Sequence, residues 1–197
     1  MKKQTIAIHT PYVRPDAYGS LAVPIYSNVS FEFDDAQTMS DAFCNRIKAP
    51  DYARIANPTV TQFEQRVKAL TGAEHVTAVN SGMAAISTVL LAVSAQGKNI
   101  VTSRHLFGNT LALISGSLLR LGVKPRLRDL TDLQAVEDAI DENTACVYLE
   151  IITNPQLEVA DLKGIADIAH KKGVPVIADS TIIPFTETSL KDFGVDI

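Results

Sequence analysis

The stretch His75-Val-Thr-Ala-Val-Asn-Ser-Gly-Met-Ala-Ala-Ile-Ser-Thr-Val-Leu-Leu-Ala-Val-Ser-Ala95 constrains the fold more than any other. Val76, Thr77 and Val79 are residues that favour a strand. From Met83 the apolar residues follow at spacings that suit a largely buried helix. Between them Asn80-Ser81-Gly82 makes a tight turn, and a helix that starts there leaves its first N–H groups without intrahelical partners. Those donors and the positive end of the helix dipole form an anion site. A simpler reading competes with it, in which Ser81 only caps the helix.

The same alternation continues downstream. Asn99–Ser103 reads as a strand, and Asn109–Leu121 as a helix stopped by Gly122. Val123–Arg128 reads as a strand whose Pro125 places it at an edge or a protected position. Thr131 is expected to cap a helix carrying Leu133, Val136 and Ile140. Ala145–Ile151 is expected as a strand, and Asp161 as the cap of a helix with Leu162, Ile165 and Ala169, closed by Gly173. Val174–Ala178 is then a strand ending in Asp179. Strands and helices in this order predict an α/β fold with a mostly parallel, doubly wound sheet.

Upstream the pattern differs. Pro11, Pro15, Pro24 and Pro50 interrupt residues 1–56, which read as an arm packing on something else, with a short extended segment from Pro24 and a helical turn or two over Asp35–Phe43. Asn57 is a good N-cap and Pro58 fits the first helical position. Val60, Phe63, Val67 and Leu70 follow at spacings of three and four before Gly72, so the sheet domain is expected over 57–197.

In open α/β sheets ligands bind beyond the carboxyl ends of the strands. The candidates are therefore Ser81-Gly82-Met83, His105-Leu-Phe107-Gly108, Thr153-Asn154-Pro155 and Asp179-Ser180-Thr181, an anion site and a buried carboxylate on one rim. By itself Asp179 can cap a turn, bind magnesium or pair with a protonated heterocycle, the cap being the simplest. No phosphate-binding GxxxxGK[ST], no GxGxxG after a strand and no GxSxG elbow is present. A net charge of −4 and the lack of a long basic run argue against nucleic acid. Arg120, Lys124, Arg126 and Arg128 read as a solvated strand face. No apolar run reaches the roughly 18 residues of a membrane span, and Met1-Lys2-Lys3 lacks the apolar run of a signal peptide. The histidines show no metal-ligand spacing, so no metal is expected. Cys44 and Cys146 form no CxxC, Cys146 reads as a buried small hydrophobe, and a cytoplasmic location is expected.

Four motifs occur in one order: Tyr52-Ala-Arg54-Ile-Ala-Asn-Pro58-Thr-Val, Asn80-Ser-Gly-Met83-Ala-Ala-Ile, Glu150-Ile-Ile-Thr-Asn154-Pro155 and Ala178-Asp179-Ser-Thr181. Together, with Pro24-Ile-Tyr26, they resemble the Cys/Met-metabolism family of pyridoxal-phosphate (PLP) enzymes over almost the whole chain. The resemblance implies PLP as cofactor and the large domain of the aspartate-aminotransferase-like fold, here incomplete. It implies a phosphate cradle at Ser81, Gly82 and Met83. Tyr52 and Arg54 would reach the phosphate in a neighbouring subunit's site, Asp179 would partner the pyridine nitrogen, and Asn154 would lie near the phenolic oxygen and the substrate carboxylate. Thr181 would lie near the ring, and Phe107 would stack on it where the family usually has Tyr, which keeps an aromatic face but removes a phenol.

The family's Ser-x-Thr-Lys segment, with the Schiff-base lysine, is expected beyond Ile197, so residues 1–197 alone are expected to be inactive. The activity implied is γ-replacement on an O-acylhomoserine to give homocysteine or cystathionine, in a homodimer or homotetramer acting on a small amino acid. A cystathionine or methionine lyase is the alternative. A non-catalytic fragment that associates through its arm is the alternative from another class.

Overall fold

The computed structural model describes residues 2–10, 18–183 and 188–197. Pro11 and Pro15, expected as interruptions of the arm, lie outside the described residues. The chain divides into two compact units, Met1–Ala78 and Val79–Ile197.

The first unit holds helices α1 (Lys3–His9), α2 (Ala36–Phe43) and α3 (Pro58–Thr71). Asp35 caps α2 by accepting from the Thr38 N–H. Asn57 caps α3 by accepting from Thr59 and Val60, and Gly72 ends it at φ 72°, a left-handed conformation that suits glycine. Residues 57–72 were expected to open the sheet domain, yet α3 groups with the N-terminal unit. Its hydrogen bonds explain why: Thr59 Oγ1 donates to Pro24 O at 2.8 Å and accepts from Tyr26 N–H at 2.9 Å, while Asn57 Nδ2 donates to Tyr26 O. The apolar face expected of α3 is half covered, because Val60 and Phe63 stay exposed and Gln62 is the buried residue. A short antiparallel bridge between Ser30 and Tyr52 fixes the backbone that carries Tyr52.

The second unit is built on a four-stranded parallel sheet of β1 (Asn99–Ser103), β2 (Lys124–Arg128), β3 (Thr144–Glu150) and β4 (Val176–Asp179), in the order β2-β1-β3-β4. Pro125 sits on β2 at the sheet edge, where its missing N–H removes no central ladder bond. Helices α4 (Gly82–Val93) and α5 (Gly108–Ala112), which continues through a π-helical stretch Leu113–Leu118, cover one face; α6 (Leu133–Ala139) and α7 (Leu162–Lys171) cover the other. Strand residues alternate between these layers. Val101, Val147, Leu149 and Val176 pack towards α6 and α7, and Ile100, Cys146, Tyr148 and Ile177 towards α4 and α5. The expected doubly wound parallel sheet is therefore present, and Cys146 is buried in it.

Two local expectations are corrected. Residues 76–79 form no strand, although their composition favours one. A strand requires a neighbour to pair its backbone, and no strand runs alongside this segment among the described residues. Asp132, not Thr131, caps α6, accepting from Gln134 and Ala135 N–H, because the Thr131 hydroxyl donates to Asp129 instead. After a short 3-10 turn (Leu190–Phe193) the chain returns to β4, and Ile197 exchanges backbone hydrogen bonds with Val176 and Ala178.

The start of the sheet is tied separately. Asp141 accepts from Asn99 Nδ2 at 2.9 Å and from Arg126 Nη2 at 2.5 Å. Chiefly the Asn99 hydrogen bond, with help from Arg126, holds its carboxyl at about 2. These ties leave the carboxyl ends of the strands free to carry loops with other chemistry.

Candidate functional site

Parallel pairing sends every strand of the second unit out at one end, where Ser103, Arg128, Glu150 and Asp179 terminate the ladder. Thr110, in the first turn of α5, donates to Met83 Sδ at 3.8 Å, which brings the N-terminus of α4 against the element that leaves β1.

At that N-terminus Ser81 is extended (φ −162°), and its Oγ accepts from Ala84 N–H at 3.1 Å. The cap is therefore real. It uses one donor only: among the described residues the Gly82 and Met83 N–H groups have no hydrogen-bond acceptor, and a Cβ built on Gly82 meets nothing within 4 Å. A twelve-residue helix with two unpaired amides in its first turn is suited to an anion such as a phosphate.

Asp179 closes β4. Its Oδ1 accepts from Thr181 N–H at 2.9 Å and Thr181 Oγ1 at 2.5 Å, so it does cap the following turn. One carboxylate oxygen does this work, which leaves acceptor capacity on the other. Asp179 is half-buried rather than buried; the buried carboxylate of the rim is Glu150, at 6% exposure. The two are cross-strand partners in the β3–β4 register. Glu150 Oε1 accepts from Phe107 N–H at 2.6 Å and Oε2 from Asn154 N–H at 3.2 Å. Burial pushes its carboxyl up, the two N–H donors oppose this, and the charge of Asp179 adds to the rise.

Tyr148, one pleat below Glu150, is 1% exposed, and its hydroxyl lies near Thr110 and Asp179. Burial first, then the charges of Asp179 and Glu150, push its phenol pKa up, so it stays a neutral donor.

The structure thus brings Ser81, Gly82, Met83, Phe107, Asn154, Asp179 and Thr181 to one end of one unit. Phe107 keeps 44% of its surface exposed, and Asn154 is exposed on the loop after β3. Tyr52 and Arg54 belong to the first unit, where the Arg54 guanidinium carbon lies 5.2 Å from the Tyr52 ring centroid. Arg54 makes no ion pair among the described residues.

Sequence reasoning gave no role to the clamp made by Glu150, nor to the contact of His105 Nδ1 with Glu158 at 2.8 Å, which ties the β1 and β3 loops a second time. A signal for Glu150 existed: like Asp179, it is a carboxylate ending an apolar strand. The six lysines of this unit all lie away from the rim. Lys98 and Lys124 are at strand starts, Lys163, Lys171 and Lys172 on α7 or its end, and Lys191 in the turn leading back to the start of β4.

Comparison with known proteins identifies the family and the fold. The model of the Cys/Met metabolism PLP-dependent enzyme family matches residues 4–197. L-Methionine gamma-lyase of Fusobacterium nucleatum subsp. nucleatum is 39% identical, covering 100% of this chain and 51% of its own. A crystal structure of a Campylobacter jejuni protein assigned as an O-acetylhomoserine (thiol)-lyase, with a pyridoxyl-lysine phosphate in it, superposes with a TM-score of 0.92 at 32% identity, over 99% of this chain and 48% of its own. O-Acetylhomoserine sulfhydrylase of Wolinella succinogenes, of the methionine biosynthetic pathway, is 47% identical with a TM-score of 0.70, over 71% of this chain and 40% of its own. The chain spans about half the length of the curated relatives it matches.

Proposed function

The chain belongs to the Cys/Met metabolism family of PLP-dependent enzymes, and from that premise we propose that the full-length protein replaces the γ-substituent of an O-acylhomoserine, making homocysteine or cystathionine. The observation that carries the reading is the rim: two free amides on a helix N-terminus and a strand-end carboxylate, on one end of one sheet. Bound there, PLP supplies an electron sink that stabilises negative charge developing on the amino-acid carbon.

The protein's own residues do the rest. Gly82 and Met83 N–H and Ser81 hold the phosphate, so binding free energy is spent away from the reacting atoms. Asp179 keeps the ring nitrogen protonated through its negative charge. The Phe107 ring provides a flat apolar surface for stacking. It has no hydroxyl, so it moves no proton, and Asn154 offers an amide to the phenolic oxygen and to a substrate carboxylate. Thr181, hydrogen-bonded to Asp179, holds that carboxylate in one orientation. Tyr52 and Arg54 close the phosphate from a second subunit of a homodimer or homotetramer, an Arg fork being suited to phosphate oxygens. The lysine that attaches the cofactor lies outside residues 1–197, in keeping with the placement of the lysines around the sheet. Among the described residues no helix is long and apolar enough to cross a membrane, and we place the protein in the cytoplasm.

Replacement rather than elimination is supported by the 47% identity to a sulfhydrylase over 71% of this chain. The full-length protein with O-acetylhomoserine and sulfide is expected to release homocysteine and acetate, the bond from the γ-carbon to the acyl oxygen breaking before the bond from sulfide to that carbon forms. With methionine or cystathionine alone, 2-oxo-acid and ammonia are expected to form at least roughly tenfold more slowly. Faster 2-oxo-acid formation from methionine without any homocysteine synthesis would make the protein a lyase.

A further inference from the structure

Among the described residues, Glu150 is a buried rim residue that touches both the Phe107 and the Asn154 loops. Its two oxygens are divided between them, Oε1 taking the Phe107 N–H and Oε2 the Asn154 N–H. Phe107 directly precedes α5, where its amide has no intrahelical acceptor, so without Glu150 that donor is orphaned. The contact joins residues 43 positions apart, and so it sets the spacing of two separate loops rather than shaping one turn. Beside it in the register stands Asp179, so the rim keeps a second carboxylate next to a first. Placing like charges together costs stability, and a neutral side chain would avoid that cost. What a neutral side chain lacks is two acceptor oxygens fanned in one plane towards two donors.

We propose that Glu150 is a positioning residue of the cofactor site, its carboxylate fixing the Phe107 ring and the Asn154 amide relative to each other. The inference rests on the PLP reading above and deepens it. Glu150 touches no reacting atom; it acts through Phe107 and Asn154. Misplacing such groups by an ångström costs up to about a hundredfold in rate. Glutamine retains one acceptor oxygen and turns a donor towards the second amide, so it is expected to keep part of the clamp. Alanine keeps none.

The test uses the full-length protein loaded with PLP, as wild type, Glu150→Gln and Glu150→Ala, at a temperature where all are folded. The readout is the circular dichroism of the visible cofactor band per bound cofactor, which reports how the ring is held in its asymmetric site. Alanine is expected to lower that signal and kcat together, kcat by roughly tenfold to a hundredfold. PLP affinity, carried by the phosphate, should change by less than about threefold. Glutamine should fall between alanine and wild type. If alanine does not fold, glutamine alone is read, with the same signal reduced relative to wild type. An unchanged band and unchanged kcat, or losses that follow the unfolded fraction alone, would overturn the proposal. A wild-type protein with no cofactor band would remove the PLP reading and this inference together, whereas a normal wild-type band with an unaffected variant removes this inference only.

Discussion

Asp179→Asn in the full-length protein is expected to lower turnover by roughly two orders of magnitude or more while phosphate-dependent cofactor binding changes by less than about threefold. The substitution isolates charge from shape. Asp179 Oδ1 holds Thr181 through the backbone N–H and the hydroxyl, and the amide oxygen of asparagine accepts both of those bonds. What is lost is the negative charge that, in the proposed site, faces a protonated ring nitrogen. A charge-assisted hydrogen bond contributes about 1.5–3 kcal/mol, which alone corresponds to roughly ten- to a hundredfold in rate. Loss of ring protonation adds to this, because the electron sink weakens. In the proposed site the phosphate is held elsewhere, by Gly82 and Met83 N–H, and those donors are untouched. Initial rates and a PLP titration check the two halves separately. Near-normal turnover in this variant would mean that something other than Asp179 holds the nitrogen.

Co-assembly of two inactive variants is expected to restore activity. In the proposed arrangement a site takes Asp179 from one chain and Arg54 from its neighbour. Arg54→Ala and Asp179→Asn should each abolish most turnover. A mixed dimer then contains one site with both residues intact and one site with neither. Random mixing makes about half the dimers mixed, so roughly a quarter of wild-type activity should return. If Arg54 serves the site of its own chain, every site in the mixture carries one lesion and nothing returns. The experiment needs refolding or co-expression of differently tagged chains, with the mixed species isolated by both tags. Arg54 is suited to the role, since it makes no ion pair among the described residues and rests over the Tyr52 ring.

Many of the helix ends were legible because their signals are local. Asn57 before Pro58, Gly72 and Gly173 after their helices, and Asp161 as a cap each act within four residues of themselves. Pro125 announced an edge because a proline cannot donate to a ladder. The Ser81 cap was readable for the same reason: cap, turn and first helical amides come from consecutive residues. What failed depended on distant partners. The Val76–Val79 segment has strand composition but lacks a neighbour, and no residue within it reports that. Thr131 and Asp132 are both competent caps, and the choice fell to Asp129, whose carboxylate takes the Thr131 hydroxyl. The Glu150 clamp reaches 43 residues and the His105–Glu158 contact 53, beyond any periodicity or spacing rule. Val60 and Phe63 show the reverse limit: an apolar stripe identifies a face, not what covers it.

The most direct measurement is the crystal structure of the full-length protein grown with PLP. The phosphate is predicted to lie within hydrogen-bond distance of the Gly82 and Met83 N–H groups, with the ring nitrogen on Asp179 and the Phe107 ring against the cofactor face. The attaching lysine is predicted to lie outside residues 1–197. A cofactor whose phosphate sits away from the α4 N-terminus, or one attached to a lysine of this chain, would contradict the account.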